Sequence, residues 1–327
     1  MLDLNGRRVL VAGGTGLAGS AIVRALLAEA RGVYVVVPHR SRDGAFEQDA
    51  RVSYIEADLR DADDCRRASA GCDLAVMAAA ITGGAAASAK APWAQVTDNV
   101  VMDARLFEAL HDNGVKRTVY VSTASVYQQL AGHLREDDIE WKHDPAPAYL
   151  GVGWAKRYGE KAAWFWHQKG GMQVVSLRLA NVFGPYAKFD PATSNVIPAL
   201  IRKAVDRMDP FEIWGAADVT RDVIYADDFG AAAVAALRKD EIAFDVFNIG
   251  SGQRTTVGEL AQWALEAAGH KPNALQFGKS APESLAFRAL DVSKAGEILG
   301  WSPRVTIRDG VRQTVEWWER NRAVWRR

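Results

Sequence analysis

What the sequence lacks narrows the field first. It has no surplus of charge: forty lysines and arginines face forty aspartates and glutamates across 327 residues. That balance argues against a generic nucleic-acid or polyanion binder, though it allows a local basic pocket. Cysteine is scarce. Cys65 and Cys72 are the two present, too few for a disulfide framework and without metal-ligand spacing to histidine, so no metal is expected. No apolar run approaches membrane-spanning length, so no membrane partner is expected. The N-terminus runs directly into an apolar strand pattern with no signal peptide ahead of it, and the expected setting is the reducing cytoplasm. Internal repeats and low-complexity linkers are also missing.

What is present begins at Arg8. Val9 to Ala12 reads as a buried parallel strand, and Gly13, Gly14, Thr15, Gly16, Leu17, Ala18 and Gly19 form a glycine turn. Ser20 to Leu27 continues at helical spacing. Strand, glycine turn and helix in this order form the context in which a glycine fingerprint signifies dinucleotide binding. Glycine permits the sharp turn and close approach of the backbone to a pyrophosphate, and the helix N-terminus offers N–H groups and a positive dipole end. Strand and helix patterns then alternate: strands at Val33–Val37, Val52–Glu56, Leu74–Ala79, Thr118–Ser122 and Val174–Leu179, and helices at Asn99–Leu110 and Trp154–Gln168. The expected fold class is α/β, a Rossmann-type doubly wound parallel sheet with a smaller, discontinuous C-terminal substrate domain.

Past Leu179 the pattern changes. Asn181–Pro185 reads as a turn, Pro198–Val205 and Thr256–Ala268 as helices, and Phe211–Trp214 as a short strand. Residues 1–179, with a return segment near 222–250, form the expected dinucleotide-binding domain; 180–221 and 251–327 form the expected substrate domain.

The second strand ends in Val37, followed by Pro38, His39, Arg40, Ser41 and Arg42, with no carboxylate until Asp43. Sheets that bind NAD place an acidic residue here for the ribose 2′-hydroxyl, whereas paired arginines suit a 2′-phosphate. The expected cofactor is therefore NADP, with NAD as the alternative. Asp58 ends the third strand, either within reach of an adenine amino group or as the N-cap of the segment 61–68.

These residues resemble the extended short-chain dehydrogenase/reductase family of NAD(P)-dependent nucleotide-sugar epimerases and dehydratases. The likeness covers nearly the whole chain. Its marks are Gly13-x-x-Gly16-x-x-Gly19, Ala57-Asp58-Leu59, Ser122-Thr123-Ala124-Ser125-Val126-Tyr127, Leu177-Arg178-x-x-Asn181-Val182-Phe183-Gly184-Pro185, Thr220-Arg221-Asp222-x-Ile224-Tyr225-x-Asp227-Asp228 and Leu299-Gly300-Trp301-x-Pro303. Ser194 to Leu200 and Ile81 to Gly84 resemble segments of the GDP-L-fucose synthase branch. The resemblance implies hydride exchange between a nicotinamide and a sugar carbon, with a tyrosine as acid/base. A lysine four residues later holds the nicotinamide ribose and lowers the tyrosine pKa, and a serine or threonine binds the reacting oxygen. It places the cofactor at Gly13, Thr15, Gly16, Leu17, Gly19, Arg40, Arg42, Asp58, Leu59, Ala79, Lys156 and Leu179.

Thr123 and Lys156 match the family hydroxyl and lysine, but Val152 stands where the tyrosine belongs. Valine moves no proton. Three readings stay open: Tyr149 takes over, another base serves, or the protein binds its ligands without turnover. On a continuous helix Tyr149 lies on the face of Lys156 but roughly 10 Å along the axis, at about 1.5 Å per residue. Gly151 and Gly153 weaken the helix, so it is expected to start near Gly153, with Tyr149 on a loop free to fold toward Thr123. The branch's epimerising cysteine and histidine are replaced by Ser125 and Asn195, which favours a single redox step or a reaction whose acid and base lie elsewhere.

On the substrate side, the resemblance implies that Arg221 and Arg288 hold a sugar nucleotide's diphosphate. Asn181, Ser125, Asn195 and Val196 line the same site, and Trp214 lies beside the base. The alternative for Arg221 is a surface pair with Asp222. The expected assembly is a homodimer through a four-helix bundle built from Asn99–Leu110 and Trp154–Gln168. The expected function is a nucleotide-sugar-modifying enzyme, with a catalytically silent binding protein as the alternative.

Overall fold

The computed structural model describes residues 1–41, 43–83, 91, 93–278 and 288–325; the side chains of Arg42 and Arg288, and Gly84, lie outside the described residues. Seven parallel strands form the main sheet: β1 Arg8–Ala12, β2 Tyr34–His39, β3 Val52–Glu56, β4 Leu74–Met77, β5 Arg117–Thr123, β7 Gln173–Leu179 and β12 Phe244–Ile249. Their order is β12-β7-β5-β4-β1-β2-β3, which reverses direction of growth between β1 and β4. A ligand crevice belongs at that reversal, beyond the strand C-termini.

Continuous apolar strands follow from burial on both faces. Val9, Val11, Val35 and Val119 share one core with Ile22 and Leu26 of helix α1 (Leu17–Glu29) and Phe229 and Leu237 of a helix over Ala226–Arg238. Leu10, Val36, Met77 and Tyr120 face the other way. They pack with Cys65 of α2 (Ala62–Ser69), Leu106 and Phe107 of α3 (Thr97–Asp112) and Ala163 of α4 (Leu150–Gly170). A separate core joins α5 (Val196–Val205) to helices over Val257–Ala267 and Ile307–Asn321. Among the described residues, no helix is long and apolar enough to cross a membrane.

Three sequence expectations need correction. Asn181–Phe183 is strand β8, not a turn. It pairs in parallel with β11 (Val223–Tyr225), a partner some forty residues away, and the chain turns only at Gly184. Helix α4 starts at Leu150, not near Gly153, directly after a 3-10 turn over Pro147–Tyr149. The cap of α2 is Asp61, which accepts from the amides of Asp63 and Asp64; Asp58 does not cap it.

Candidate active site

The glycine turn is held by contacts that admit no side chain. Gly13 has φ +81°, and a Cβ on it would lie 2.7 Å from the Ala78 carbonyl oxygen, beside β4. A Cβ on Gly19 would lie 2.1 Å from the Gly13 oxygen, so this glycine sets the α1–β1 contact. Gly16 caps α1 in extended conformation, without a side-chain cap and with no acidic residue in the first turn. The contrast with Asp61 on α2 is chemical: the α1 terminus keeps its amides and positive dipole end for an anion. The cradle therefore fits a dinucleotide pyrophosphate. Leu17, in the first turn, packs against the separate core of α5, so the cradle sits where that core meets the sheet.

The loop after β2 folds back onto this turn. The Ala45 amide donates to the Thr15 carbonyl at 3.0 Å, and His39, Phe46 and Tyr54 form edge-to-face and tilted ring contacts beneath it. Arg40 is exposed and lies within electrostatic reach of Asp58. Asp58 itself is taken by Arg60, 2.6 Å away, whose hydrogen bonds hold the carboxyl down at about 2. Leu59 is buried behind it, and Ala79 follows β4 half-buried at the reversal point. Leu179 ends β7, buried and opposite Thr123 in the register.

Thr123 is the last residue of β5, half-buried at the strand's C-terminal end. Its Oγ1 lies 3.3 Å from Ser125 Oγ and accepts from the Ser125 amide. Helix α4 comes close to this turn at one glycine: a Cβ on Gly153 would lie 2.6 Å from the Ser125 oxygen and 2.5 Å from Pro145. That contact explains why α4 carries a glycine at 153, since packing outweighs glycine's low helix propensity of about 1 kcal/mol. Val152 therefore sits inside the first turn of α4, and Tyr149 occupies its N-cap, half-buried. Lys156 is 6% exposed and is directed at Asp103 and Tyr120.

Beneath Thr123 and Leu179 runs a buried polar network that the sequence reading missed. Arg178 grips Glu160 with two hydrogen bonds of 3.0 and 2.8 Å, and the Ser122 hydroxyl donates to the same carboxylate at 2.6 Å. Arg178 also donates to the Tyr127 hydroxyl, which donates to Asn248 on β12. The available signal was helical spacing, since Glu160 follows Lys156 by four residues and shares its face.

Of the substrate-side residues, Asn181 and the strand of Arg288 meet at Asp222, while Asn195, Val196 and Trp214 stand on other elements. The Asn181 side chain donates to the Asp222 carbonyl at 2.9 Å. The Asp222 carboxylate is buried and accepts from Ser251 N and Oγ and from Leu290 N, at 2.8 to 2.9 Å. Burial pushes this carboxyl up, against the pull of those hydrogen bonds. The Arg221–Asp222 surface pair is thus excluded: Asp222 faces inward, and Arg221 donates to the Thr220 carbonyl. The Leu290 contact brings β15 (Arg288–Leu290) to the same place. Asn195 caps α5 with its side chain unused for capping, and Val196 follows half-buried. Trp214 is 71% exposed, with Lys203 Nζ 5.3 Å from its ring centre.

The strand order, glycine cradle and anion-ready helix define a Rossmann-type α/β protein. The chain belongs to the NAD dependent epimerase/dehydratase family, whose model matches residues 9–250. It is 28% identical to a GDP-L-fucose synthase of Sinorhizobium fredii, over 97% of this chain and 96% of that one. A dTDP-4-dehydro-6-deoxy-D-allose reductase of Streptomyces bikiniensis is 28% identical, over 95% and 96%. The crystal structure of a Thermotoga maritima UDP-glucose 4-epimerase with UDP-glucose superposes with a TM-score of 0.84 at 26% identity, covering 96% of this chain and 99% of that one.

Proposed function

We propose that this protein is an NADP-dependent reductase of a nucleotide-linked keto sugar, with Tyr149 as proton donor in place of residue 152. The observation that supports the reading is the close approach of α4 to the Thr123–Ser125 turn at Gly153, one turn from Tyr149 at the head of the helix. Because α4 is continuous from Leu150, Tyr149 stands roughly 10 Å along the axis from Lys156 and acts without its help.

The direction of reaction follows from proton chemistry. Reduction needs an acid, and a phenol is one over most of the pH range. Oxidation needs a phenolate, which a neighbouring ammonium must favour. Position 152 offers no such pair, and Ser125 and Asn195 are poor shuttles for epimerisation. The reductase relatives fit the same direction. When bound, the dinucleotide supplies the hydride. Thr123 orients the carbonyl oxygen, Tyr149 gives that oxygen its proton, and Lys156 holds the ribose. Arg40 and Arg42 take the 2′-phosphate. Residues 1–179 with 222–250 bind the cofactor; 180–221 and 251–327 bind the sugar nucleotide through Asn181, Arg221, Arg288 and Trp214. We assign the homodimer to α3 and α4, which enclose an apolar groove of about 650 Å³ lined by Val100, Ala104, Tyr158, Phe165 and Trp166.

One observation favours a silent binding protein instead: Lys156 is already paired with Asp103. The readings separate on offering NADPH with GDP-, dTDP- and UDP-linked keto sugars. The reductase oxidises NADPH and adds two hydrogens to the sugar, read by absorbance and mass. Tight binding of both ligands with no such gain is the result that supports the silent protein.

A further inference from the structure

Lys156 is buried, and so are its neighbours. Its Nζ lies 3.5 Å from Asp103 Oδ2 on α3 and 4.7 Å from the centre of the Tyr120 ring on β5. The Tyr120 hydroxyl donates to that same carboxylate oxygen at 2.7 Å. Gly159 makes the room, since a Cβ there would lie 1.8 Å from the hydroxyl. An ammonium with so little water needs a negative partner close by. The other nearby acid on α4, Glu160, has both oxygens committed to Arg178 and one also to Ser122. Four residues earlier on the same helix face stands Val152, which offers no charge.

We propose that Asp103 is the resident counter-charge of Lys156, occupying from α3 the role that a phenolate on the preceding turn of α4 would otherwise hold. Lys156 is then half of a buried pair and no activator of a phenol, with one ammonium hydrogen given to Asp103 and the others left for the ribose that the proposed function assigns to it. The balance of forces on the carboxylate agrees: burial pushes Asp103 up, and Lys156 and Tyr120 pull it back. Asp103 is a positioning residue, acting through Lys156. This inference concerns the protein's own side chains and needs no turnover, so its failure would leave the reductase reading intact.

The test places a phenol at the vacant position. Val152→Tyr is titrated by phenolate absorbance, with Val152→Phe as the blank for the native tyrosines, in Asp103 and Asp103→Asn backgrounds. With Asp103 in place, the introduced phenol titrates at or above about 10. In the Asp103→Asn background it titrates at least about one pH unit lower, because the ammonium is released to it. Adding Lys156→Met there abolishes the drop. Equal midpoints in the two backgrounds would overturn the proposal. Should Asp103→Asn fail to fold, Val152→Tyr alone decides: a midpoint well below 10 means the Lys156 charge was never spoken for and refutes it, and one at or above 10 that Lys156→Met leaves unmoved supports it.

Discussion

Arg40 stands at the end of β2, where the surrounding negative charge is already spent. The carboxylate within its electrostatic reach, Asp58, is gripped by Arg60, which also reaches Asp98 at 3.1 Å. An incoming 2′-phosphate therefore meets a guanidinium that has no strong competitor. A charge-assisted hydrogen bond contributes about 1.5–3 kcal/mol net, or roughly 10- to 100-fold in affinity. Arg40→Ala should weaken NADPH binding by about that factor and leave NADH binding nearly unchanged, measured by nicotinamide fluorescence titration. Tighter binding of NADH than NADPH by the unaltered protein would reverse the cofactor assignment.

At the scale of elements, α4 decides where the chemistry sits. Gly153 and Gly159 are helix-weakening residues by propensity, yet each meets a neighbour at a distance that forbids a side chain. Gly153→Ala must push α4 off Pro145 and Ser125, and overpacking of this kind costs about 1–3 kcal/mol. The expected result is a melting temperature several degrees lower and a loss of activity greater than the loss of cofactor affinity, since Thr123 moves and the cradle does not. Propensity alone pointed to a later helix start because the opposing contact, to Pro145 and Ser125, is tertiary. The same limit hid β8, whose partner is Val223–Tyr225, and Asp103, which meets Lys156 across 53 residues of sequence. What could be read locally was read: the β1–turn–α1 unit, because Gly13 and Gly19 have no substitutes, and the helix from Thr256, which the structure closes with a Thr256–Glu259 capping box. The site divides likewise. The glycine cradle follows from local pattern and Thr123 from the family resemblance, whereas Asp222 as the meeting point of Asn181, Ser251 and β15 follows from neither.

Over the whole molecule, the two cores meet around the cleft and are tied across it. Lys188, beside the core of α5, donates to the Thr82 carbonyl beyond β4. The opposite side of the sheet carries an apolar face on α3 and α4, with Trp164 and Phe165 about half exposed. A face of this character on a charge-balanced chain calls for a partner, and an isologous dimer supplies one. Sedimentation should give twice the 35.6 kDa chain mass. Phe165→Glu should shift it to monomer without unfolding it, as Phe165 lies at the surface. A monomeric unaltered protein would remove the four-helix-bundle assignment.

The central claim, that the proton donor has moved to Tyr149, is most directly tested by single-turnover reduction of a keto-sugar nucleotide by NADPH, comparing the unaltered protein with Tyr149→Phe. Loss of a positioned general acid predicts a rate lower by about 10²–10⁴, with NADPH affinity and melting temperature retained. An unchanged rate in Tyr149→Phe would contradict the account.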